Sequence, residues 1–248
     1  MIVHGGKFFF LAVLFFGVVS EAKIYTLKDE SFASYLSFST GTSGIKKEPF
    51  DGEYNATTSY SGGVTANNSL DFGFIYATHY LSWRFGFELM QPVTTSSDAT
   101  DAAGAALYNV GTSISGYFPK VGLEINMYTG DGLRLYGFGF AGQASIDVKN
   151  TYTADSLTPG NFSNEYKGNC NATGGGLGME FSGFDLSTIV VELGYRDMDF
   201  ANLTYAANVT DFLGFHYGGD VVKTSAGASR DINMTGTYAA LGFRFWLF

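Results

Sequence analysis

The side chains in this sequence with chemistry to offer are few: His79 and His216 (the third histidine, His4, lies in the apolar leader and is expected to leave with it), the single cysteine Cys170, and eight charged residues that recur at alternating positions. Two histidines and one cysteine do not make a zinc site, which takes four ligands, or three and a water. His216 stands near Asp211, Asp220 and Ser225, so a Ser–His–carboxylate nucleophile is the one catalytic constellation within reach, and a lipid-modifying enzyme the activity it would imply. An ordinary loop histidine among Asp and Ser is the plainer reading. Gly174-Gly175-Gly176-Leu177-Gly178 has no following Lys-Ser/Thr and no helix, so it is not a phosphate loop. We therefore assign no catalytic, metal or cofactor-binding residue and expect no cofactor.

The charged set is more informative. Asp71, Arg84, Glu88, Glu124, Glu180, Glu192, Arg196 and Arg244 each fall between bulky apolar residues with a period of two, the mark of strands with two unlike faces. Leu36 and Phe38 alternate with Tyr35, Ser37 and Ser39; Leu70, Phe72, Phe74 and Tyr76 with Asp71, Gly73 and Ile75. Trp83, Phe85, Phe87 and Leu89 frame Arg84 and Glu88, and Val121, Leu123, Ile125 and Met127 frame Glu124. Tyr136, Phe138 and Phe140 are spaced by Gly137 and Gly139, with Arg134 in the aromatic phase as a snorkelling rim residue. Leu177, Met179 and Phe181 frame Glu180; Ile189, Val191, Leu193 and Tyr195 frame Glu192, with Arg196 next. Leu241, Phe243, Phe245 and Leu247 frame Arg244 and close a set of eight strands.

Connections alternate in length. Short ones lie around Tyr80, at Thr129-Gly130-Asp131-Gly132, a hairpin-type turn, and at residues 183–186. Long ones, rich in Gly, Ser, Thr and Asn, cover residues 41–69, 91–107, 149–172 and 201–236. Short turns on one side and long loops on the other describe an all-β fold, an eight-stranded antiparallel up-and-down transmembrane β-barrel. Which face lies inside follows from the polar phase. It holds Gly, Ser and scattered charges of both signs and no Lys, which suits a crowded lumen better than a solvated surface. Phe, Leu, Val and Trp then meet hydrocarbon, where an open sheet edge costs several kcal/mol per unpaired group and the sheet must close. Eight strands enclose a space that side chains can fill, so a diffusion pore is not expected. Charges inside must be paired, and we read the eight as a structural lumen ionic network in preference to a gated ion path.

Lys7 followed by twelve apolar residues, 8–19, and then Ser20-Glu21-Ala22 reads as an export signal over residues 1–22, with residues 23–248 as one barrel domain. The apolar run is too short for a membrane helix, which needs about twenty residues. Charged residues make up 15% of the chain, against roughly 25% in a soluble domain. The net charge of −9 without a basic run argues against nucleic acid as a partner. A lone cysteine forms no intramolecular disulfide.

The ending Ala240-Leu241-Gly242-Phe243-Arg244-Phe245-Trp246-Leu247-Phe248 resembles the closing strand of bacterial outer-membrane barrels. Gly122 through Tyr128 with Leu133-Arg134-Leu135-Tyr136-Gly137-Phe138-Gly139 resembles the middle hairpin of the OmpW-like and OmpA-like small barrels, and Glu192-Leu193-Gly194-Tyr195-Arg196 their penultimate strand. The resemblance implies a bacterial outer-membrane protein surrounded by lipid and lipopolysaccharide, inserted by the barrel-assembly machinery through its C-terminal strand. Phe245 and Phe248 stand three apart, so a regular strand cannot hold both on one face. Tyr80, Trp83, Tyr128, Phe184 and Trp246 would form an aromatic girdle at the short-turn, periplasmic side. Asn-x-Ser/Thr triplets start at Asn55, Asn67, Asn161, Asn171, Asn202, Asn208 and Asn233, all within the expected long loops, where Asn/Thr turn chemistry accounts for them.

The function expected is that of a non-enzymatic anchor whose four extracellular loops bind a surface ligand. The alternative is an OmpW-like narrow conduit for small hydrophobic molecules, for which Ile75, Met90, Val110 and Val190 would have to line one apolar pocket at the long-loop mouth.

Overall fold

A computed structural model describes residues 31–42, 59–60, 66–130, 132–154, 157, 159–182 and 187–247. The expected export signal, Phe184, Asn55 and Phe248 lie outside these residues. Eight strands make the wall: β1 (Ser31–Thr42), β2 (Ala66–Ala77), β3 (Leu81–Thr100), β4 (Ala106–Gly130), β5 (Leu133–Thr153), β6 (Phe162–Ser182), β7 (Ser187–Asp197) and β8 (Gly236–Trp246). Each pairs antiparallel with the next, from Ser31↔Ala77 between β1 and β2 through Gly236↔Arg196 between β7 and β8. The ring closes where β8 returns to β1 with Ala33↔Trp246 through Gly41↔Tyr238. No edge is left along this part of the wall, which is the condition a sheet must meet in hydrocarbon.

The outward row is Phe32, Leu36 and Phe38 on β1, Phe72 and Phe74 on β2, Trp83 and Phe85 on β3, and equivalents around the ring, all exposed. On β4 it runs from Tyr117 to Met127. Ten rises of about 3.3 Å at a tilt near 40° give roughly 25 Å, the height of the apolar band on outer-membrane barrels. Beyond it the same outward phase turns to Gln143, Ser145, Asp147 and Lys149 on β5 and to Thr173, Asn171, Asn169 and Lys167 on β6.

Two expected loops are strand instead. Residues 91–107 and 149–172 continue the wall in long hairpins joined by residues 101–105 and 154–161. Their outward residues are polar, which hid an inward phase of Tyr108, Val110, Ile114, Ile146, Val148 and Tyr166, all buried. Asn67 and Asn171 accordingly sit in β2 and β6 rather than in loops, Asn67 buried.

β5 also faces the other way from expectation. Arg134 and Tyr136 point inward and are buried, with Phe138 and Phe140 in the same phase, while Gly139 and Ala141 lie on the outer wall. The reason is on β6: Tyr136, Phe138 and Phe140 are register partners of Gly178, Gly176 and Gly174. A Cβ on Gly178 would collide with the Tyr136 ring, and one on Gly174 with the Phe140 ring. Gly178 and Gly174 are the floor on which the Tyr136 and Phe140 rings lie, while Gly176 lets the β7 backbone at Leu193 come close.

The connection over residues 198–235 is a packed element, not a free polar loop. Met198, Phe200, Leu203, Tyr205, Val222, Ile232 and Met234 bury themselves against Met90, Ile114, Phe118, Ala144 and Ile146 on the inner side of the tall hairpins. Thr204–Tyr205 pairs with β6 at Lys167 and Tyr166, and Ile232–Asn233 pairs with Asp199–Phe200. The barrel therefore carries a second, apolar core above its ionic one.

Candidate functional site

Every charged residue of the alternating set points into the barrel, and their contacts run from one end of the lumen to the other. At the long-loop end Arg196 Nη1 donates to Glu88 Oε1 at 2.9 Å, and Lys120 Nζ lies 2.7 Å from Glu88 Oε2 and 3.0 Å from Asp71 Oδ2. Arg84 links Asp71 (3.0 Å) to Glu192 (2.7 Å). The Tyr136 hydroxyl donates to Glu192 at 2.8 Å and accepts from Arg244 Nη2 at 2.9 Å. Arg244 then bonds Glu124 Oε1 (2.7 Å) and Glu180 Oε2 (2.9 Å), and Arg134 bonds the same two carboxylates at 2.9 and 2.8 Å.

Lys120 and Arg134 were not in the expected set. Lys120 was missed because β4 begins well before the alternation that marks it, and its presence corrects the expectation that no Lys enters the lumen. Arg134 was assigned to the rim by the inverted phase of β5; it is only 2% exposed and is bonded to Ser82 and Asn126 as well as to its two carboxylates. With both included, the carboxylates Asp71, Glu88, Glu124, Glu180 and Glu192 meet an equal number of cations, Arg84, Lys120, Arg134, Arg196 and Arg244. Buried charge is tolerated when it is paired and hydrogen-bonded, and this lumen is neutral by pairing. Arg84 and Lys120 add cation–π contacts, 4.3 Å to the Tyr35 ring and 4.9 Å to the Phe140 ring.

The girdle residues separate. Tyr80, Trp83 and Tyr128 are exposed at the short-turn end, as an interfacial belt requires. Trp246 does not belong with them. It is buried, and its indole N–H donates to Glu180 Oε1 at 3.2 Å and Thr188 Oγ1 at 3.3 Å, because β8 places it in the same inward phase as Arg244.

The four residues proposed to line an apolar pocket are not brought together. Ile75 packs with Ala33, Tyr35, Ala77 and Trp246 near the short turns, and Met90 belongs to the core under residues 198–235. Val110 sits at the distal tip with Tyr108 and Tyr152, and Val190 is paired with Gly242 and Glu180. His216 bonds Asp211 at 3.1 Å and stacks on Tyr205 at 4.6 Å. Asp220 instead accepts the Tyr217 backbone N–H at 2.8 Å, and Ser225 is exposed, so the nucleophile constellation is not assembled. His79 is exposed at a short turn, edge-on to Tyr80. Cys170 faces the apolar plug, and burial pushes its thiol up to about 11.

No family model and no curated protein matches this chain. Solved structures similar to it include the outer membrane protein OprG from Pseudomonas aeruginosa, at 12% identity and a TM-score of 0.47, covering 91% of this chain and 99% of that one. The outer membrane protease OmpT from Escherichia coli is similar at 11% identity and a TM-score of 0.46, covering 92% and 100%. Ail, the attachment invasion locus protein of Yersinia pestis, is similar at 11% and 0.43, covering 88% and 100%. On its own strand pairings the chain is an eight-stranded antiparallel up-and-down β-barrel with an ionic interior.

Proposed function

We propose that this chain is a non-enzymatic outer-membrane anchor: a sealed barrel that holds a rigid extracellular structure for binding a surface ligand. The observation that carries this reading is the double filling of the interior. A neutral network of ion pairs occupies the membrane level, and residues 198–235 pack the space above it. With the described interior filled in this way, the part that acts is the surface that the tall hairpins and the return segment present. In this reading residues 1–22 direct export and are removed, lipid and lipopolysaccharide surround the apolar band, and β8 is the strand the barrel-assembly machinery engages.

The test compares adhesion of intact bacteria carrying the chain with adhesion of bacteria carrying a variant whose residues 206–218 are replaced by a short Gly-Ser turn. Heat-modifiable mobility of the barrel is the folding control. Lost adhesion with a folded barrel supports the reading; unchanged adhesion overturns it.

One observation favours the conduit reading. The β4–β5 ladder runs Tyr117↔Ser145 and resumes only at Lys120↔Gly142, leaving Phe118 and Pro119 unpaired on that side. Outside this break lies an apolar groove between Phe72, Phe74, Phe85, Phe87, Pro119 and Val121. Passage would require residues 198–235 to withdraw, since Phe118 is fully buried beneath them. Uptake of a long-chain alkane that rises when residues 198–235 are excised would support this second reading.

A further inference from the structure

The return segment carries, midway along it, a hairpin with one face fixed and one face bare. Val209–Asp211 pairs antiparallel with Gly214–His216. On the fixed side the Tyr205 hydroxyl donates to Asp211 Oδ2 at 2.7 Å, His216 bonds Asp211 Oδ1, and Phe212 meets the Phe162 ring edge-on at 4.9 Å. On the bare side Leu213, Phe215 and Tyr217 are 38%, 56% and 64% exposed, and the Phe215 and Tyr217 rings stand 5.0 Å apart at 89°. Phe212 also packs on Tyr108 and Tyr152 at the distal ends of β4 and β5, so this face is far from the apolar band and no acyl chain covers it. Aromatic side chains held in place lose little freedom on binding, which is what a pre-organised contact surface needs.

Charge narrows the occupant. Described residues within 95–115, 143–173 and 197–236 include nine carboxylates and four cations. Because the lumen cancels its own charge, the acidic excess of the described residues falls on surfaces such as this one. Asp220 lies in the turn that follows Tyr217, its carboxylate held by the Tyr217 N–H. Lys223 lines the cleft behind Leu213 and is the local exception. Exposed ring faces attract cations through their quadrupole, and a negative surround strengthens that preference while it repels anionic lipid or sulfated sugar.

We infer that the Leu213–Phe215–Tyr217 face docks a polypeptide segment that carries Arg or Lys among apolar residues, the cations lying against the two rings and Asp220. This rests on the surface-binding reading above and names its partner chemistry.

The full chain in phosphatidylcholine nanodiscs is titrated against a fluorescent peptide of alternating Arg and Leu, and against the same peptide with Glu in place of Arg, by anisotropy. Binding of the Arg peptide, at least tenfold weaker binding of the Glu peptide, and at least tenfold loss in a Leu213→Ser/Phe215→Ser/Tyr217→Ser variant are expected. Asp220→Asn should weaken the Arg peptide severalfold. Equal binding of both peptides, or full binding by the triple variant, overturns the inference, as does capture of neutral dextran in preference to the Arg peptide. The cellular assay separates the two levels. Adhesion lost on replacing residues 206–218 but kept in the triple variant overturns this inference alone, whereas adhesion indifferent to the replacement overturns the surface-binding reading itself.

Discussion

Tyr136 lies directly across the β5–β6 ladder from Gly178, and its ring occupies the space that a side chain on Gly178 would take. The hydroxyl of the same tyrosine joins Glu192 to Arg244, so a backbone-level vacancy on one strand sets the position of a bridge in the ionic core. Gly178→Val should therefore displace the ring and break both hydrogen bonds. We expect a loss of about 2–4 kcal/mol, from overpacking and from polar groups left unpaired. Urea unfolding of the barrel in lipid vesicles measures it, with Gly137→Ala on the outer wall as a near-neutral control.

Arg134 and Glu124 supply the second prediction. Glu124 is fully buried and bonded to Arg134 and Arg244. Arg134→Met leaves an uncompensated carboxylate and should cost about 3–5 kcal/mol. Adding Glu124→Gln restores neutrality, so the double variant should be more stable than the sum of the two single losses predicts. A double-mutant cycle with additive losses would show that the charges act independently.

Much of the barrel was legible in the sequence, because lipid on one side and enclosure on the other impose strict alternation. Leu36, Phe72, Trp83, Leu123 and Phe243 announce their faces without help from neighbours. What was not legible depended on pairing between strands. The inward turn of Tyr136 and Phe140 is explained by Gly178 and Gly174, at matching spacing in reverse order, a relation visible only once β5 and β6 are set in register. Arg134 followed that phase to the wrong place, and Lys120 lay ahead of the recognised part of β4. Trp246 was placed at the rim by residue type although its phase matched Arg244. The return segment was hidden for a different reason: its apolar residues, such as Met198, Leu203, Val222 and Ile232, are irregularly spaced because they pack as loops and short pairs rather than as one strand.

Cys170 gives a prediction in pH. Burial against the apolar plug holds its thiol protonated up to about 11. At pH 8 its thiolate fraction is then lower than that of an ordinary thiol by about 100-fold, and alkylation by iodoacetamide should be slower to match. The native state keeps a proton that the unfolded chain releases near pH 9, so this group makes stability fall as pH rises from about 9 to 11. Labelling should accelerate in a Leu203→Ala variant, which loosens the plug over β6; equal rates would place Cys170 outside it.

Phe212 links the distal hairpin to Tyr108, Tyr152 and Phe162. Phe212 is half-buried, and Phe212→Ala should release residues 209–216 locally, at about 2–3 kcal/mol, below the loss for a fully buried Phe, without unfolding the wall. Hydrogen exchange reads this as protection lost across the hairpin and kept on β1 and β8.

One face of every wall strand meets lipid while the ionic face is enclosed, and the two tryptophans of the chain report on this from opposite sides. Trp83 is 45% exposed on the outer wall and Trp246 is 8% exposed inside. Fluorescence of the Trp246→Phe variant, which retains Trp83, should be strongly quenched in vesicles of lipid brominated near the headgroup end of the acyl chain. Fluorescence of the Trp83→Phe variant, which retains Trp246, should resist the same quencher severalfold better. Equal quenching of the two, or stronger quenching of Trp246, would contradict the enclosed ionic lumen.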